Sequence, residues 1–311
     1  MAVYRFELSH LTPDLTRSLN ATPGITVRDR IVNAPDNAAW LVERYCKVAG
    51  VRFTLSLLVP DPQPLGSIDD LVHNGLRDWV PAFLTPYQRD GILLMAGRSG
   101  HLHWAAGSGK TAGAICWAMA TPGATVVVTR AGVRRSHGRE IERLTTHRAY
   151  VIESSEDAAG LNDTDALFCV VGWENLPDVI EQLLAWRPTN VVFDEIHKAK
   201  SHKRWSATPG EDGKTKFDLQ GNIAAAAYRL SRKAKRRLGT TATPIKDRTR
   251  DLWAQLDLVH PDAWGKYYSA DRASFTGRYC AAHPGMYGGI ETGGAANLDE
   301  LYNRIDVVAH N

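Results

Sequence analysis

The stretch GSGKT at Gly107–Thr111 decides the fold of this 311-residue chain. It follows the strand-like run Leu102–Ala105 and opens a longer apolar run, KTAGAICWAMA, that suits a helix. A strand, a glycine-rich turn and a helix in that order bring backbone N–H groups and a positive helix end to one point. That is the cradle a phosphate needs. Gly107 and Gly109, with Ser108 between them, let the backbone approach closely. Lys110 is placed to reach β- and γ-phosphates, and the Thr111 hydroxyl to complete a magnesium shell. Trp104 stands where such loops usually have their first Gly or Ala, so the loop is expected to begin differently here.

Two more strings hold the same position at the end of an apolar run. DEIH at Asp194–His197 follows NVVF. Asp194 at that strand end would hold magnesium, directly or through water. Glu195 would orient or deprotonate an attacking water. His197 is neither an obvious ligand nor a base, and coupling to the third string is its expected role. Alone, DEIH also reads as an acidic helix start. TTATPI at Thr240–Ile245 supplies Thr241 and Thr243, whose hydroxyls can exchange hydrogen-bond partners; alone it is a polar turn. Upstream, Gln88 in LTPYQ either reads an adenine edge with its amide or is an exposed helix-start residue. The three strings in this order imply an ATP-driven motor core.

Short apolar strands alternate with helical stretches from Leu84 onward. They are expected at Leu102–Ala105, Thr125–Thr129, Ala166–Val171, Asn190–Phe193 and Arg237–Thr241. This alternation implies an α/β fold, a parallel sheet sandwiched by helices. Ligands then sit at the carboxyl ends of the strands, where the three strings fall. Residues 1–80 read as a small α/β accessory module and 81–311 as the ATP-binding lobe. In the module, Tyr4–Leu8 is strand-like, ITVRDRIVNA is extended, Asn37–Val48 suits a helix and VPDPQPLG a linker. Two polar, glycine-bearing segments, Ser201–Asn222 and Pro284–Asn297, read as exposed loops.

Composition narrows the class. Apolar residues are 44% of the chain, enough for a real core, and 37 Lys and Arg balance 34 Asp and Glu. Such an even balance makes local clusters the evidence for a polyanionic partner. Thr129, Arg130, Lys198 and Lys200, with Arg134 and Arg135 nearby, share the expected strand edge and would contact a phosphate backbone. The basic run SRKAKRR at Ser231–Arg237 reads instead as a solvated helix end. Four scattered cysteines, Cys46, Cys116, Cys169 and Cys280, suit reduced thiols. His101 and His103 alternate with Leu102 and Trp104 on a strand rather than forming a metal site. MAVYRFELSH is not a signal peptide, and no apolar run is long enough to span a bilayer, so a cytoplasmic protein is expected.

These residues resemble the first motor lobe of superfamily-two helicases, and more closely the Swi/Snf-type DNA translocases. LTPYQRDGI is similar to the adenine-reading motif. VVVTRAGVRRSHGREIERL is similar to the first DNA-contact motif, with the usual aromatic before its acidic residue replaced. VVFDEIHKAKS and RRLGTTATPIKDRTRDLWAQLDLVHPDAWG match closely. FTGRYC at Phe275–Cys280 and GGAANLDELYNRI resemble the fork-remodelling, annealing-helicase subgroup, which often carries a small module before the motor.

The resemblance covers about Leu84 to Asn311. It implies a RecA-like P-loop NTPase fold, ATP and magnesium as cofactors, and duplex or forked DNA as partner. It also implies a second RecA-like lobe, in cis or in trans, whose arginine fingers are worth about a thousandfold in rate or more. The sequence ends at Asn311, where that lobe would begin, so a single lobe is expected. A nucleotide-gated DNA-binding module, or half of a split motor, is the alternative. The run Ile245–Trp264 disfavours an RNA helicase. The composition and compactness suit a phage-encoded replication or recombination protein.

Overall fold

The computed structural model describes residues 3–22, 25–58, 65–120, 123–199, 205–209, 215–219, 222–245, 248–261, 263–264, 274–285, 290–306 and 309–310. Its contacts divide the chain into two units. One holds residues 1–60, 248–253 and 260–308; the other holds 61–247, 254–259 and 309–311.

The first unit begins with strand β1 (Val3–Leu8), helix α1 (Pro13–Asn20), strands β2 (Thr26–Arg28) and β3 (Ile31–Pro35), helix α2 (Asp36–Val48) and strand β4 (Phe53–Leu58). The strands form an antiparallel sheet in the order β2-β3-β1-β4. The extended stretch expected at Ile25–Ala34 is therefore a hairpin. Asp29, at φ 53°, sits in its tight turn, a conformation Asp tolerates better than most residues. Two elements are additional to the sequence reading. Helix α1 is started by the Thr12 hydroxyl, which accepts from Leu15 N, with Pro13 behind it; β4 is the other.

The second unit contains helices α3 (Val80–Phe83) and α4 (Pro86–Met95), then β5 (Gly100–Leu102), α5 (Lys110–Met119), β6 (Thr125–Thr129), α6 (Arg134–Leu144), β7 (Ala149–Ile152), β8 (Phe168–Gly172), α7 (Ile180–Ala185) and β9 (Asn190–Asp194). A hairpin of β10 (Trp205–Pro209) and β11 (Thr215–Leu219) follows. It lies where the sequence suggested only a loop. Helix α8 (Asn222–Lys233), β12 (Arg236–Thr240) and α9 (Asp251–Val259), whose last six residues belong here, come next. The second expected loop, in the first unit, holds the paired strands β13 (His283–Pro284) and β14 (Ile290–Glu291), between α10 (Phe275–Tyr279) and α11 (Leu298–Asp306). Strand β15 (Ala309–His310) returns to the second unit.

Seven strands of the second unit form one sheet in the order β15-β5-β12-β9-β6-β8-β7, and every pairing in it is parallel. Alternation along each strand sends side chains to two separate cores. Val127, Phe168, Val170, Val192 and Leu238 pack with residues of α4, α5 and α6. Val126, Val128, Cys169, Val171, Val191 and Phe193 pack with residues of α7, α8 and the end of α9. Strands β6, β8 and the first four residues of β9 are buried throughout, as apolar runs covered on both faces should be. This is the RecA-like α/β sandwich the sequence implied.

Candidate functional site

Strands β5, β12, β9 and β6 are neighbours, and their carboxyl ends meet. Register does the rest. Thr240 pairs with Asp194 and with Leu102, and Val128 pairs with Phe193, which sets Thr129 next to Asp194. Thr129, Asp194 and Thr240 share parity with Val127, Val192 and Leu238, so all three point to the face covered by α5 and α6.

The result is a carboxylate held from three sides. The Thr129 hydroxyl donates to Asp194 Oδ2 at 2.8 Å and the Thr240 hydroxyl to Oδ1 at 2.8 Å. His137 Nε2, from the first turn of α6, lies 3.4 Å from Oδ2. The Trp173 indole N–H fixes the backbone, donating to Asp194 O at 2.9 Å. Burial alone would raise the Asp194 pKa. The histidine and the two hydroxyls outweigh it and hold the carboxyl below its usual value.

The phosphate-type loop stands opposite. Gly107 and Gly109 have φ of 77° and 84°, in the left-handed region, and Gly109 caps the start of α5. Lys110 Nζ donates to the carbonyls of Trp104 and Ala105, both at 3.0 Å. The Ser108 hydroxyl donates to Ala105 O at 2.7 Å. The side chain of Gln88 clamps the loop: its Nε2 donates to Ser108 O at 2.8 Å, while its Oε1 accepts from Thr85 N at 2.9 Å. Both ends of this amide are thus engaged within the chain. Thr111, His137 and Asp194 line one small cavity.

Trp104 explains how the loop begins. Its ring is fully buried and its indole donates to His310 Nδ1 at 2.9 Å. A Cβ on Gly91 of α4 or Gly113 of α5 would come within 2.5 and 2.7 Å of that ring. Two glycines, one on each helix, make room for the indole, and only the Trp104 backbone faces Lys110.

The second and third strings touch. His197 Nδ1 lies 3.1 Å from Glu195 Oε2 and 3.0 Å from the Thr241 hydroxyl, which in turn accepts from Thr243 N at 3.1 Å. Glu195 has φ 52°, an uncommon conformation for a non-glycine residue.

The basic residues disperse. Arg130 is exposed. Lys198 pairs with Glu174 at 3.0 Å. Thr129 is buried on Asp194 and offers no surface hydroxyl. Lys200 lies outside the described residues. Arg134 is tied to the carbonyls of Ala131, Ile152 and Glu153, and Arg135 to Glu153. In the run after α8, Arg237 is no solvated side chain. It donates to Ser231 O and Ala234 O, capping the helix carbonyls, and burial pulls its pKa down to about 10. Sequence reasoning missed His137, Thr240 and Trp173. The one signal for His137 was its position, where related motifs carry an aromatic residue.

A parallel sheet covered on both faces, with a glycine-rich loop before α5 and carboxylates at the end of β9, defines a RecA-like P-loop lobe. No family model matches the chain. It is 28% identical over 242 residues to the DNA annealing helicase and endonuclease ZRANB3 of Bos taurus, covering 73% of this chain and 20% of that protein. It is 27% identical over 245 residues to the SWI/SNF-related matrix-associated actin-dependent regulator of chromatin subfamily A-like protein 1 of Xenopus laevis, covering 76% and 23%. In fold it matches the Sulfolobus solfataricus SWI2/SNF2 ATPase core in complex with dsDNA, with TM-score 0.54 and 21% identity over 73% of this chain and 43% of that one. By these likenesses the chain resembles the Swi/Snf-type, annealing-helicase proteins in sequence and shares the fold of a SWI2/SNF2 ATPase core. It spans about a fifth of the length of those curated relatives. No helix among the described residues is long and apolar enough to cross a membrane.

Proposed function

We propose that the chain is the ATP-binding lobe of a DNA-dependent ATPase of helicase or translocase type, acting on duplex or branched DNA. One observation carries the reading: Thr111 and Asp194, from distant parts of the sequence, line one cavity beside a left-handed glycine loop. Their donors are hard oxygens, the kind magnesium prefers, and the loop leaves Gly107 with nothing within 4 Å of a notional Cβ. The donor types therefore suit magnesium, and the open loop suits a phosphate.

When bound, magnesium would neutralise charge on the phosphates. Thr111 and Asp194 would hold it, and Lys110 would exchange its two carbonyl partners for phosphate oxygens. The loop N–H groups and the start of α5 would bind the same phosphates. Glu195 would orient the attacking water. His197, bonded to both Glu195 and Thr241, would pass the state of the site to the third string. Gln88 would have to release Ser108 or Thr85 before reading an adenine edge. Arg130 and Lys198 remain the DNA-facing candidates on this edge, with Lys200 proposed from sequence alone. A second RecA-like lobe, in the same chain or another, would complete the catalytic groups. The division into an accessory module at 1–80 and an ATP-binding lobe at 81–311 belongs to the same proposal, although by contacts 61–80 group with the parallel sheet and 248–253 and 260–308 with residues 1–60.

ATP turnover with and without duplex or forked DNA, using Lys110→Ala as control, tests this. Turnover that DNA stimulates and Lys110→Ala abolishes is the expected result once a second lobe is present. Turnover surviving that change would sink the phosphate-loop assignment. Magnesium-ATP binding without turnover would favour the second reading, a nucleotide-gated module that needs another lobe for catalysis.

A further inference from the structure

Thr129 has one hydroxyl proton, and it goes to Asp194 Oδ2 at 2.8 Å. Toward any other neighbour Thr129 can only accept. His137 Nε2 lies 3.4 Å from the Thr129 oxygen and 3.4 Å from Asp194 Oδ2. Both atoms facing this nitrogen are acceptors, so Nε2 carries a proton and shares it between them. The contact is long but sheltered: the His137 and Asp194 side chains are only 12% and 13% exposed. It is also built into α6. His137, Ile141 and Leu144 recur on one helical face, and the latter two are buried in the core. The histidine is therefore held over the end of β9, in the cavity it shares with Thr111 and Asp194.

We infer that His137 is a positioning residue for the divalent cation: with Thr129 and Thr240 it fixes the Asp194 carboxylate so that its remaining lone pairs face Thr111. The inference rests on the proposed role of Asp194 in holding magnesium. Three donors from β6, β12 and α6 restrain the two oxygens of one carboxylate, and such outer partners of a metal ligand commonly govern affinity by about tenfold or more.

The test is a magnesium titration of the full chain, read by binding of a fluorescent ATP analogue. His137→Phe keeps the ring shape and removes the donor. It should raise the magnesium concentration for half-maximal binding by about tenfold and leave magnesium-free nucleotide affinity unchanged. His137→Gln, which keeps an N–H within reach, should recover most of the shift. Should the phenylalanine variant fail to fold, His137→Asn, polar but too short to reach Asp194, carries the same expectation. Asp194→Asn separates the two levels. If it shifts the midpoint and the His137 variants do not, the positioning role is overturned. If Asp194→Asn itself shifts nothing, the metal role of Asp194 fails, and this inference with it. A loss of magnesium-free binding equal to the magnesium-dependent loss would overturn it too, because that pattern is general disruption of the loop.

Discussion

Gly107 and Gly109 look equivalent in GSGKT, yet they meet different constraints. Both have left-handed φ, so an L side chain at either costs about 1–2 kcal/mol in backbone strain. Only Gly109 also faces a wall, because a Cβ there would sit 2.3 Å from Gln88 Nε2. Gly109→Ala should therefore push Gln88 off Ser108 O and loosen the clamp on the loop. The expected outcome is loss of nucleotide affinity well beyond that of Gly107→Ala, with similar urea midpoints for the two variants. Equal affinities would mean that Gln88 does not shape the loop. The residues of GSGKT, DEIH and TTATPI were legible because each string is local, and its neighbours along the chain reveal the strand end. The hold that Thr129, Thr240 and His137 take on Asp194 was not. They reach Asp194 through parallel register and a helix placed across the sheet, and no spacing along the chain encodes either.

The α4–β5–α5 layer shows the same limit one scale up. Trp104 in place of a small residue was visible as a departure. Its consequence was not, because Gly91 and Gly113, the residues that accommodate it, lie on separate helices. Gly113 alone would be read as a weak point in α5, about 1 kcal/mol worse than Ala in a helix. In this chain it is space for an indole. Gly113→Ala should destabilise the wild type, since its methyl meets the buried ring at 2.7 Å. In a Trp104→Gly background, itself expected to cost about 3–5 kcal/mol, the same substitution should stabilise. Urea unfolding of the four proteins in this cycle reads the reversal; a destabilising Gly113→Ala in both backgrounds would refute the steric account. The central strands were legible as continuous apolar runs. Strand β7, at the sheet edge and half-exposed over its first three residues, and the two-residue β15 give no such pattern, and β10 and β11 are too polar to read as strands.

At the scale of the whole molecule, the first unit draws on both halves of the chain, and a half-buried charge network links those parts. The Arg278 guanidinium in α10 forms two bonds of 2.8 Å to Glu300 of α11 and also bonds Glu43 of α2. Tyr279 donates to Glu300 at 2.6 Å and accepts from Arg304. One cation serves two carboxylates, and they fare differently. Burial opposes ionisation of Glu300, but the fork of Arg278 outweighs it and holds the carboxyl below its usual 4.5. For Glu43 burial wins, and the carboxyl is raised. The signs then separate. Glu300, depressed when folded, contributes stability above the unfolded pKa that disappears as pH falls through the folded value. Glu43, raised when folded, withdraws stability as pH climbs from 4.5 through its folded value. Arg278→Met takes the guanidinium from both carboxylates, leaving Glu300 the Tyr279 hydroxyl, and should cost about 3 kcal/mol at pH 7. Glu300→Gln should destabilise at pH 7 and flatten the acid limb below about pH 4.5. Glu43→Gln should leave stability at pH 7 unchanged or raise it, although it removes an ion-pair partner. Urea midpoints at pH 7, 5.5 and 4 distinguish these outcomes. A Glu43→Gln variant as unstable as Glu300→Gln at pH 7 would show that Arg278 satisfies both carboxylates alike, and the asymmetry argued from its fork geometry would be wrong.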